Sequence, residues 1–87
     1  MPRVIAHHEV TDTDHWLASS RREEVFGPLG VTNIQTFVNP QDRRKVALHM
    51  DVADLDALLT AMTGQAVADA MRDDGVVPET VVLLVEA

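Results

Sequence analysis

Apolar and polar positions repeat along this chain with two periods, and the changes between them mark out the elements. In residues 44–52, RKVALHMDV, the alternation is strict: Val46, Leu48, Met50 and Val52 fall on one side, Lys45, Ala47, His49 and Asp51 on the other. A period of two belongs to a half-buried strand. VTNIQTFVN at 31–39 is rich in β-branched and aromatic residues, which favour a strand. Pro40-Gln41-Asp42-Arg43 between the two is turn material, so the pair reads as an antiparallel hairpin. RVIAHHEV at 3–10 and TVVLLVE at 80–86 read as the first and last strands. Helical spacing fills the gaps. Leu55, Leu58, Leu59 and Met62 form one stripe behind the N-cap residue Asp54. Thr63-Gly64 interrupts it, and a further helix spans 65–74 with Ala66, Val67, Ala70 and Met71 on its apolar side. Gly75 fits the C′ position of a Schellman cap, with Val76 at C″ touching Met71 at C3. After the first strand, Asp12 or Thr13 can cap a short helix carrying Trp16 and Leu17. Ser20 and Glu23 match a capping box for a helical restart closed by Val25 and Phe26, which Gly27, Pro28 and Gly30 end.

The order strand, helix, strand, strand, helix, strand predicts an α+β fold: a ferredoxin-like βαββαβ sandwich, a four-stranded antiparallel sheet with its two helices covering one face. The strands stay apolar on both sides, as in Val4-Ile5, Ile34 with Phe37, and Val81 to Val85. A sheet with water on one face alternates. The second face is therefore expected to be covered by another copy of the chain, as a homodimer through the sheet face.

Composition narrows the function. The 87 residues make a single domain over 1–87, and an apolar share of 46% argues for a packed core. A formal charge of -7 argues against a nucleic-acid partner. The one basic run, Arg43-Arg44-Lys45, reads as a solvated turn. No apolar stretch reaches the roughly 20 residues of a membrane span, and no signal peptide is expected at the N-terminus. The absence of cysteine removes disulfides and thiolate ligands and fits a cytoplasmic protein. No phosphate-binding glycine loop or nucleotide fingerprint occurs.

HHEVTDTDHW at 7–16, FGPLGV from Phe26 and RDDGVVPETVVLLVE from Arg72 carry a resemblance to the dimeric α+β barrel superfamily. Within it, the chain resembles small cyclase-like and antibiotic-biosynthesis-monooxygenase-like proteins. That resemblance implies two ferredoxin-like subunits packed sheet against sheet around a central space. It also implies cofactor-free oxygenation or cyclisation of a small aromatic or polyketide-like molecule. A non-catalytic small-molecule-binding or structural dimer is the alternative.

Candidate chemistry follows from strand parity. His8 shares a side with Val4, Ala6 and Val10, the side expected under the helices; His7 shares the other with Ile5 and Glu9. With Val46 to Val52 packed on the helices, His49 joins His7 and Glu9 on the uncovered side. Either Gln35 and Phe37 or Ile34 and Thr36 join them, depending on register. His49 is the expected general base, His7 the second candidate, and Glu9 the carboxylate that orients an imidazole. Two imidazoles and a carboxylate also suit a metal, but no compact ligand motif appears, and the chemistry expected here requires neither metal nor cofactor. Backbone hydrogen bonding by the histidines is the plain reading. Trp16 reads as packing, Asp12 and Asp14 as capping, and Arg21 and Arg22 as solvated helix surface or a cavity mouth. Asp73 and Asp74 oppose the dipole at a helix end, so a partner is expected for one of them.

Overall fold

The computed structural model describes residues 2–87. Strand β1 (Arg3–Glu9) leads into two short helices, α1 (Thr13–Ala18) and α2 (Arg21–Phe26), and a 3-10 turn at Gly27–Leu29. The hairpin β2 (Val31–Val38) and β3 (Lys45–Val52) follows, then α3 (Leu55–Ala61) and α4 (Gln65–Asp73). A 3-10 turn at Pro78–Thr80 delivers the chain to β4 (Val82–Val85). The sheet order is β2-β3-β1-β4 with every neighbouring pair antiparallel, the expected ferredoxin-like arrangement. No helix among the described residues is long and apolar enough to cross a membrane.

Parity decides the two faces. Val4, Ala6 and His8 of β1 and Val46, Leu48, Met50 and Val52 of β3 are buried beneath the helices. Trp16 of α1 and Leu58 of α3 close over them. On the opposite face, Ile5, Phe37, Val82 and Leu84 stay 41–53% exposed. The pairings Gln35 with His49 and Phe37 with Ala47 settle the register of β2, so Gln35 and Phe37 share that open face. A bulge between Thr32 and Gln35 sets this register; Asn33 sits there at φ 56°. Asn tolerates that left-handed backbone better than most residues, and its Nδ2 donates to Asp51 Oδ2 at 3.3 Å.

The helix ends follow local chemistry. Asp12 and Asp54 cap α1 and α3, accepting from the amides of His15 and Ala57. Gly75 ends α4 at φ 74°, with Val76 N donating to Met71 O at 2.9 Å and Gly75 N to Arg72 O at 3.2 Å, both bonds of a Schellman cap. Two expectations need correction. Ser20 precedes α2, but its hydroxyl bonds Glu24 rather than a backbone amide, so the capping box does not form; Ser19 Oγ accepts from Arg21 N instead. The last strand starts at Val82 and not at 80, because Pro78 holds a 3-10 turn in which Thr80 Oγ1 bonds Val77 O and accepts from Glu9 N. Arg43 and Arg44 stand in the solvated turn expected of them, with exposed side chains 3.2 Å from Asp14 and 3.7 Å from Asp42.

Candidate functional site

The three residues singled out by parity all lie on the open face of the sheet. His49 stands between Ile5 and Gln35, and His7 between Ala47 and Val82. The two histidines are therefore diagonal neighbours on β1 and β3. Glu9 lies one pleat beyond His7, away from His49 and opposite Lys45. No hydrogen bond joins the three among the described residues. His49 Nδ1 is buried without a partner, and the ring lines a depression of about 260 Å³ with Arg3, Ile5, Leu84, Val85 and Glu86. No group of three or more metal-ligating side chains forms among the described residues.

A different set of side chains meets beneath the helices. Between the sheet and the helical layer lies a cavity of about 50 Å³. Met50, Met62, Met71, Phe26 and Leu83 supply part of its apolar wall, and His8, Trp16, Arg22 and Asp74 also line it. Few polar groups converging on an apolar cavity is the usual form of a small-molecule site.

Each of these groups is placed by its element. β1 turns the His8 ring inward, edge-on to Trp16, with centroids 5.6 Å apart and planes at 84°. His8 Nδ1 lies 3.4 Å from the Glu9 carbonyl oxygen. A proton on Nδ1 donates there and leaves the Nε2 lone pair free. Burial holds the His8 pKa below its ordinary 6.5; the Glu9 bond opposes this, and the nearby Arg22 and His7 charges add to it. The imidazole is thus a neutral base near pH 7. The guanidinium carbon of Arg22 sits 4.6 Å from the Trp16 ring centroid, a cation–π contact. Its terminal nitrogens donate to Trp16 O at 2.8 Å and Ser19 O at 3.3 Å, the last carbonyls of α1 and its cap. Its Nε is buried with no partner, and no carboxylate lies within ion-pair distance of Arg22 among the described residues.

Asp74, at the end of α4, is also buried; it accepts from Ser19 Oγ at 2.5 Å. Beside it Asp73 meets Arg21 at 2.5 Å, and its carbonyl oxygen accepts from His15 Nε2 at 2.8 Å. Both carboxylates at this helix end therefore have partners, as their conflict with the helix dipole required. Together these bonds latch the α1–α2 arm to α4. Arg21 and Asp74 also line an outer groove of about 490 Å³ with His15, Ser19 and Glu24, so the latch separates that groove from the cavity.

Sequence pattern pointed to the open face and passed over this cavity. Trp16 read as packing and Arg22 as solvated surface or a cavity mouth; Arg22 is 7% exposed and lines the cavity. The available signals were the inward parity of His8 and the paired carboxylates at the end of α4.

No protein-family model matches the sequence, and no curated protein matches it. Solved structures do. A candidate antibiotic biosynthesis monooxygenase from Bordetella bronchiseptica superposes with a TM-score of 0.72 at 13% identity, over 99% of this chain and 94% of that one. A similarly named protein from Nitrosomonas europaea gives 0.67 at 11% identity, over 100% and 97%. A structure of an antibiotic biosynthesis monooxygenase gives 0.63 at 12%, over 100% and 97%. At these identities the likeness is one of fold: the chain shares the ferredoxin-like fold of these solved structures.

Proposed function

We propose that this chain is a small-molecule enzyme of the cofactor-free monooxygenase or cyclase kind, acting on an aromatic or polyketide-like molecule held between its helices and its sheet. The carrying observation is the convergence of His8, Trp16 and Arg22 on one apolar cavity. The names of the structural neighbours favour the same class. In this reading His8 Nε2 takes a proton from an activated ring carbon or hydroxyl, a transfer that suits a neutral imidazole in a site closed to water. The substrate carbanion then reduces dioxygen. For a ring methylene, CH2 plus O2 gives C=O plus H2O, so the substrate supplies all the electrons and the protons leave in water. Cyclisation uses the same proton abstraction, with a carbonyl carbon in place of dioxygen as the electron acceptor.

The cavity as it stands has room for one or two waters, against the roughly 150 Å³ that accommodates a benzene ring. A ring therefore enters by displacement of the α1–α2 arm, which the polar latch at Ser19, Arg21, Asp73 and Asp74 permits without disrupting the sheet. The working unit is a homodimer closed through the open sheet face, because Ile5, Phe37, Val82 and Leu84 would otherwise form an apolar patch in water.

One observation favours a second reading. The orphaned Nδ1 of His49 beside its depression suits chemistry on the dimer's inner face, with His49 as base, His7 second and Glu9 polarising. Oxygen uptake on a panel of anthrones and dihydroxyaromatics separates the readings. His8→Gln is expected to abolish uptake, with His49→Ala retaining it. The reverse pattern supports the sheet-face site, and binding without turnover in the parent leaves a binding protein.

A further inference from the structure

Resting on the cavity reading above, we infer that the ligand is an anion, an aromatic carboxylate or phenolate whose charge is met by Arg22. A buried guanidinium without a counter-charge is costly, because desolvation is uncompensated. Arg22 is more than nine-tenths buried and has no ion pair among the described residues. Two backbone carbonyls hold its terminal nitrogens, which fixes the plane of the fork on the Trp16 ring and leaves Nε with a proton to donate. Capping the end of α1 would explain those two bonds, but not a buried Nε left without a partner on a residue that lines the cavity. The carboxylate in the same wall, Asp74, is engaged by the Ser19 hydroxyl and forms no ion pair with Arg22. An anionic oxygen entering the cavity would complete Arg22 by a charge-assisted bond, while its ring lies among methionine and aromatic side chains. This makes Arg22 a specificity residue: it selects the charged form of a ring compound over its neutral isostere.

The test compares benzoate with benzamide, which match in shape and differ in charge. Trp16 is the only tryptophan in the chain and lies against Arg22, so its emission reports occupancy of this cavity. Thermal shift gives an independent readout. In the parent, benzoate is expected to bind at least about tenfold tighter than benzamide. Arg22→Met is expected to remove that preference, and Arg22→Lys to keep part of it. Equal affinity of the two probes in the parent overturns the inference and leaves the cavity reading standing. Benzoate preference surviving in Arg22→Met also overturns it. If neither probe changes Trp16 emission or Tm, the inference and the cavity reading fall together. The parent comparison stands even where a variant fails to fold.

Discussion

His7 and His8 differ by one position and by almost everything else. The pleat of β1 sends His7 to the open face and His8 under the helices, where it meets Trp16 edge-on and feels the Arg22 charge. Burial lowers the His8 pKa, so the unfolded chain binds a proton that the folded one refuses. The sign follows directly: His8 costs no stability above the unfolded value of about 6.5, and stability falls as pH drops below it towards the lowered folded value. Urea midpoints measured from pH 7.5 down to pH 5 should decline, and His8→Gln should flatten that decline. An unchanged slope in the variant would place the titrating group elsewhere. Parity made the inward turn of His8 legible in the sequence. The role of Arg22 was not legible, because an arginine counts as polar in any periodicity and its burial depends on carbonyls exposed by the break between α1 and α2.

At the scale of elements, the clearest sequence signals were those with local causes. The alternation of β3 gave its faces, and Gly75 after a helical run gave the end of α4. Gly75→Ala tests that cap. The left-handed backbone alone costs about 1–2 kcal/mol for a residue with a Cβ. The added carbon would also stand 2.5 Å from Thr11 Oγ1, so that side chain must move aside. A loss of at least about 1 kcal/mol in denaturant melts is expected, and coincident melts would refute the cap's importance. Signals with distant causes were harder to read. The register of β2 rests on a bulge at Asn33, which sequence alternation left open between two choices. The arm formed by α1 and α2 is short, two helices of six residues each, and too brief to show a helical stripe. Its position is set by the Ser19–Asp74 bond across 55 residues, which only the folded chain brings together.

For the whole molecule, two opposed forces act on the open sheet face. Apolar side chains there favour a partner, and a charge of -7 on each chain opposes one. Sedimentation at micromolar concentration should show a species of twice the chain mass. Raising the salt from about 20 to about 150 mM should tighten it, because screening weakens the repulsion while apolar burial persists. A monomer at every salt concentration would refute closure through the sheet.

Ligands are expected to bind beneath the helices and not on the open sheet face. Methyl-labelled methionine and the Trp16 indole give reporters inside the cavity, at Met50, Met62 and Met71. Ile5, Val82 and Leu84 report from the sheet face. Chemical-shift mapping with a bound aromatic carboxylate is the direct measurement. The methionine and Trp16 signals are expected to move together while those of Ile5, Val82 and Leu84 stay in place. Movement confined to Ile5, Val82 and Leu84 would contradict it.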